Sequence, residues 1–162
     1  MTFCIGRREF ITLIGGAAAA WPLAARAQQT RKVYRIGYLG VTSYAGYARE
    51  IEALLRGLRR LGYEEGKNIA IVYQFAEGDY DRLPALASKL VTLKVDTIVT
   101  HSTPGARAAK QATSTIPIVV TAAADLVSSG LVPSIARPGG NLTGLTFFFA
   151  EICAKRVELI KE

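Results

Sequence analysis

Hydrophobic positions along the chain follow two alternating rhythms, one of period two and one of helical period. Val33-Tyr34-Arg35-Ile36-Gly37-Tyr38-Leu39-Gly40 is β-rich and stops at glycine, which predicts a first strand. Residues 46–61 place Ile51, Leu54, Leu55, Leu58 and Leu61 at helical spacing, with Gly62 suited to the C-terminal cap. A second strand runs from Ile69 to Phe75. A helix starting at Asp79 or Asp81 then carries Leu83, Leu86, Leu90 and Leu93 on one face. Val95 to Thr100, entered through Asp96, predicts a third strand, and Pro104 opens a short helix through Ala112. Ile116 to Thr121 reads as a fourth strand, followed by a short helix near Leu126 to Ala136. Leu142 to Phe148 is a fifth strand, and a helix runs from Ala150 onward.

Strand and helix alternate throughout, and the third and fourth strands are apolar on both sides. That pattern predicts an α/β fold, a doubly wound parallel sheet covered on both faces. No internal repeat and no low-complexity linker follow Thr30. Ligands of such sheets gather beyond the carboxyl ends of the strands, at a topological switch point. The loops to inspect are therefore Gly40-Val41-Thr42-Ser43-Tyr44, His101-Ser102-Thr103-Pro104-Gly105 and Ala122-Ala123-Ala124-Asp125. They offer hydroxyls, backbone amides, an aromatic ring and a carboxylate. The inventory suits a small polar ligand, above all one with a carboxylate at the helix start over Ser102–Gly105.

The N-terminus carries a different signal. Residues 1–27 combine a basic start, an apolar stretch from Phe10 to Ala20, a helix-stopping Pro22 and the small-residue pattern Ala25-Arg26-Ala27. These mark a cleaved export signal, with the cut after Ala27 and Gln28 as the new first residue. Arg7-Arg8, followed by Phe10 and Ile11 and a mild Gly/Ala-rich core, points to the twin-arginine type. The apolar stretch is too short and too interrupted, by Gly15, Gly16 and Pro22, to span a bilayer. A periplasmic location is expected, with residues 28–162 as the exported part.

Composition narrows the chemistry. In 162 residues, 20 Lys and Arg stand against 13 Asp and Glu, for a net charge of +7. The basic residues are scattered except for Arg56, Arg59 and Arg60, which read as the solvated face of a helix. A nucleic-acid interface would want a basic stripe with stacking aromatics, so nucleic acid is not an expected partner. Two cysteines and one histidine make neither a disulfide scaffold nor a zinc cluster, and no metal is expected. There is no phosphate-binding loop, Gly37-Tyr38-Leu39-Gly40 lacks the spacing of a dinucleotide fingerprint, and no cofactor is expected. A triad of Ser102, His101 and Asp125 fails because neighbours leaving a strand point in different directions and no nucleophile elbow is visible. No catalytic residue is assigned. His101 reads more readily as a loop or core histidine than as a ligand contact. Asn141-Leu142-Thr143 matches a glycosylation sequon but reads as the turn entering the fifth strand.

Several segments resemble one bacterial family. They are R-R-E-F-I-T-L-I-G-G-A-A-A-A-W-P-L-A-A-R-A-Q-Q at 7–29, A-E-G-D-Y-D-R-L-P-A-L-A at 76–87, I-P-I-V-V at 116–120 and R-P-G-G-N-L-T-G at 137–144. The family is that of the substrate-binding proteins of ABC importers related to tryptophan/tyrosine-importer binding proteins, and the resemblance runs along essentially the whole chain. It implies a type I periplasmic-binding fold, in which two α/β lobes on hinge strands close over a small solute and deliver it to a membrane permease. It also implies first-lobe ligand contacts at Ser43, Tyr44, Ser102, Thr103, Pro104, Ala124 and Asp125. His101-Ser102 departs from the Gly or Ala that often precedes the strand-three T-P.

Members of the family run about twice as far, because a second lobe follows. Residues 28–162 are therefore expected to be the N-terminal lobe, a truncated product or a fragment, with Ile152, Val157 and Leu159 facing the absent lobe or hinge. Affinity in such proteins comes from burying the ligand between lobes, so one lobe alone should bind weakly or not at all. Three readings stay open. The first is the solute-binding component of an importer, the relatives suggesting an aromatic or branched amino acid. The others are a ligand-free remnant of such a protein and an exported α/β enzyme, the reading with least behind it.

Overall fold

The computed structural model describes residues 32–147 and 155–160. The signal residues Arg7, Arg8, Ala25 and Ala27, together with Ile152 and Cys153, lie outside the described residues. Five strands form one parallel sheet: β1 (Tyr34–Gly40), β2 (Ile69–Phe75), β3 (Thr97–Thr100), β4 (Ile118–Ala123) and β5 (Leu142–Thr146), in the order β2-β1-β3-β4-β5. Parallel neighbours need crossovers. Three helices fill that role, α1 (Ala48–Arg60), α2 (Leu83–Thr92) and α3 (Thr103–Ala112), while an irregular segment joins β4 to β5. Short 3-10 turns at Ala45–Tyr47 and Tyr80–Arg82 lead into α1 and α2. Residues 155–159 are helical, with Val157 and Leu159 exposed.

Alternation along the strands sorts the core into two layers. Leu39, Ile98, Ile118, Val120 and Leu142 point to one face, against Leu83, Ala87 and Leu90 of α2 and the small residues Ala106 and Ala109 of α3. Ile36, Tyr38, Ile69 and Val99 point to the other, against Tyr47 and Ile51, with Leu54, Leu55 and Leu58 half-buried beside them. The second layer ends at β3. Beyond it Val119 on β4 and Leu145 on β5 are 37% and 69% exposed, so the fourth strand is not covered on both faces among the described residues.

Local signals explain the element ends. Gly62, at φ +83°, terminates α1 by donating to Arg59 O, which leaves Leu61 past the helix and exposed. Asp79, not Asp81, opens the second helical region: its carboxylate accepts from Asp81 N at 3.0 Å. Asp96 clamps β3 to β1, its carboxylate accepting from Arg35 N at 2.8 Å and its own N–H donating to Arg35 O at 2.7 Å. β4 starts at Ile118, since Pro117 has no N–H to give, and runs on to Ala123.

One expected element is absent. Residues 126–136 form turns rather than a helix. Asp125 accepts from Val127 N at 2.9 Å and Ser128 N at 3.1 Å, an alternative to helical pairing that short polar side chains offer. Gly130, at φ +70°, then reverses the chain so that Leu131 N and Val132 N both donate to Leu126 O. The segment still buries Leu126, Leu131 and Val132.

Candidate ligand-binding site

The chain leaves β1 toward β2 on one side, while β3, β4 and β5 extend the sheet on the other. The switch point thus lies between β1 and β3, and the loops after β1, β3 and β4 open above it. The turn from β3 into α3 is held tightly. Ser102 N donates to Ala122 O at 2.8 Å, Ser102 Oγ accepts from Gly105 N at 3.2 Å, and Ser102 O accepts from Ala106 N at 3.1 Å. These bonds fix Ser102 at φ 109°, ψ 153°, a region that is almost the preserve of glycine. Fewer amides face the crevice than the sequence suggests. Pro104 has none, and those of Gly105 and Ala106 are spent on Ser102, so Thr103 supplies the one left in the first turn of α3.

Four of the seven expected contacts come together. Ser102, Thr103, Pro104 and Ala124 line one cleft of about 320 Å³, with His101, Ala122, Ala123 and Phe147. The other three have local duties and lie outside its lining. Ser43 Oγ accepts from Gly46 N at 3.2 Å and caps the turn before α1. Tyr44, half exposed, sets its ring edge-on to Tyr73 and Phe75, with centroids 5.5 and 5.9 Å away. Gly40 makes room for this cluster, since a Cβ there would fall 2.6 Å from the Phe75 ring and 3.0 Å from Tyr47. The Ser128 hydrogen bonds, joined by that of Val127, hold the Asp125 carboxyl below its ordinary range.

His101, read from the sequence as a loop or core residue, is a cleft wall. Its Nδ1 lies 3.3 Å from Thr121 Oγ1 and its ring packs on Tyr47 at 5.5 Å. It therefore pairs with Thr121 rather than with Ser102, whose hydroxyl serves Gly105. No nucleophile–base pair forms in the cleft. The legible signal for His101 was its place at the strand-to-helix turn. Phe147 had none, because it enters the cleft only through the pairing of β5 with β4. No group of three His, Cys, Asp or Glu residues able to hold a metal occurs among the described residues. No described helix is long and apolar enough to cross a membrane.

The family described as ABC transporter substrate binding protein matches residues 37–162, from within β1 through β2 to β5 and every crevice loop. The chain belongs to that substrate-binding family. It is 36% identical over 132 residues to a tyrosine-binding protein of Clostridioides difficile, across 82% of this chain and 38% of that protein. A conserved domain protein of Vibrio cholerae shares the fold at a TM-score of 0.73 and 37% identity, over 81% of this chain and 44% of the other. An ABC domain of Streptococcus pneumoniae solved in complex with L-Trp matches at a TM-score of 0.66 and 28% identity, over 71% and 39%. The chain thus spans about two-fifths of the length of these substrate-binding relatives. The turn at Ser102–Pro104 and the cleft beside it fall inside the matched region.

Proposed function

We propose that this substrate-binding chain captures a free amino acid at the carboxyl edge of β1, β3 and β4 and passes it to an ABC permease. The observation that carries the reading is the cleft at the switch point. It brings the Thr103 amide, the Ser102 and Thr103 side chains and the flat Ala122–Ala124 floor together at the start of α3. A helix start of this kind suits a carboxylate. Two of the relatives carry a ligand in their names, tyrosine and L-Trp, both amino acids. The capture step needs no covalent chemistry, only burial of the solute, and burial is completed by a second wall that the longer relatives have the length to supply.

The leader read from the sequence places this work in the periplasm after cleavage behind Ala27. Intact mass of the chain recovered from a periplasmic fraction checks that step: a species beginning at Gln28 is expected, and an uncleaved cytosolic species would remove the location. The binding step is checked by titrating isotopically labelled protein with single amino acids. Saturable amide shifts at Ser102, Thr103 and Ala124 are expected, weak for a single wall. Failure of every amino acid to move those signals would overturn the reading.

A further inference from the structure

Two cavities meet at one ring. The crevice cleft, about 320 Å³, is lined by the ends of β3 and β4 and the start of α3. A groove of about 310 Å³ lies between α1 and the end of β4, with Leu54 and Thr121 among its walls. Among the described residues the two share only His101 and Ala122. Ala122 is fixed in the sheet, its carbonyl accepting from Ser102 N at 2.8 Å, and it brings only a methyl group. The imidazole is therefore the removable part of the wall between them.

That ring is held from two sides. Its Nδ1 lies 3.3 Å from Thr121 Oγ1, a contact that holds with either atom as donor. Tyr47 stands against it edge-on, with centroids 5.5 Å apart. Tyr47 is itself buried, stacked on Phe75 and edge-on to Tyr38 at 6.0 Å, so close packing leaves it little room to yield. A side chain pinned by a hydrogen bond and backed by packed rings resists swinging aside for a solute. Each cavity alone sits at the small end of ligand sites, which run from about 300 to 1,000 Å³.

We propose that His101 is a specificity-determining residue of the crevice, a partition that confines the solute's side chain to the cleft and keeps it out of the α1 groove. Thr121 is its positioning residue. Without the ring the two spaces join into one of about twice the volume, and a bulkier side chain can run on beside α1. The partition belongs to the folded chain itself. That a free amino acid is the solute it screens rests on the amino-acid reading.

Titration of labelled wild type and His101→Ala with L-alanine and L-tryptophan tests it. In His101→Ala the affinity for L-tryptophan relative to L-alanine should rise about tenfold, the scale on which pocket volume discriminates between solutes. L-Tryptophan should also move the Leu54 amide in that variant and leave it in place in the wild type. Thr121→Val, which removes the pin and keeps the ring, should shift the ratio the same way by less, and Thr121→Ser should keep the wild-type value. A shift in His101→Ala alone would keep the partition and remove the role of Thr121. An unchanged ratio in both His101→Ala and Thr121→Val, or Leu54 moved by L-tryptophan already in the wild type, would overturn the assignment. Indole, which carries no amino-acid group, separates this proposal from the amino-acid reading. In His101→Ala it should move the Ala124 and Leu54 amides with one midpoint, and in the wild type it should not move the two together. If no amino acid moves Thr103 in either protein, the amino-acid reading fails, and indole still decides the partition: the same response in both proteins overturns it.

Discussion

Gly105 lies so close to Thr100 that a Cβ built on it would overlap the Thr100 hydroxyl. That hydroxyl is fully buried and donates to Leu39 O at 2.9 Å, tying the end of β3 to the end of β1 across the switch point. The first turn of α3 passes over this bond without a side chain, and the crevice edge depends on the fit. In an unconstrained helix Gly→Ala stabilises by about 1 kcal/mol. Here overpacking costs roughly 1–3 kcal/mol, so Gly105→Ala should be destabilising on balance. Urea unfolding read by circular dichroism checks the sign. A rise in midpoint would mean that the Thr100 hydroxyl is not the fixed point described.

Ser102 gives the opposite expectation for a neighbouring position. Its backbone sits at φ 109°, where a non-glycine residue costs about 1–3 kcal/mol. Ser102→Gly relieves that strain and loses the bond from Gly105 N, a change of only a few tenths of a kcal/mol at an N-cap. A net gain of about 1 kcal/mol is expected, seen as a higher thermal midpoint. Ser102→Ala keeps the strain and loses the cap, so it should fall below wild type. If Gly and Ala variants melt together, the conformation is not strained.

The fold was legible where the signal is local. β2 matches its expected range, and β1, α1, α2 and α3 lie within a few residues of theirs, because a strand or amphipathic helix shows its period within its own residues. What could not be read depends on partners far along the chain. The helix expected after Leu126 is replaced by turns that Asp125 and Gly130 impose. Asn141 was rightly taken as a turn, but its amide also donates to Thr113 O at 3.1 Å and Ile116 O at 2.8 Å, a clamp across more than 20 residues. The site divides in the same way. Topology names the loops, and four residues of those loops share a cleft. Ser43, Tyr44 and Asp125 lie outside that cleft's lining and make contacts in their own turns and neighbours, which loop position alone cannot reveal.

Burial, then the charge of Glu65 and the neighbouring Tyr44, pushes the Tyr73 phenol up to about 12 from its ordinary 10.0, and Tyr38 is raised by burial first as well. The folded chain therefore holds protons that the unfolded chain releases above pH 10. Their stabilising contribution is whole below that value and is lost as pH rises through about 12. Stability should fall between these limits, and less steeply in Tyr73→Phe and Tyr38→Phe. Urea midpoints on either side of about pH 10 measure it. An unchanged slope in both variants would assign the alkaline loss to other groups.

Thr103 and Asp125 separate cleanly, although the sequence puts both at the ligand. Thr103 lines the cleft and carries the remaining amide of its helix turn, so Thr103→Pro, which deletes that N–H, should abolish amino-acid shifts at Ala124. Thr103→Ala keeps the amide and should weaken binding by only about threefold to tenfold, the loss of one neutral hydrogen bond. Asp125 instead accepts from Val127 and Ser128, and those bonds hold its carboxyl down. Its contribution is present above the ordinary carboxylate range and is lost as pH falls through the lowered folded value. Asp125→Asn should leave ligand affinity unchanged and flatten the acid limb of the stability profile. A large affinity loss in Asp125→Asn, with its acid limb intact, would move that carboxylate from the turn to the ligand.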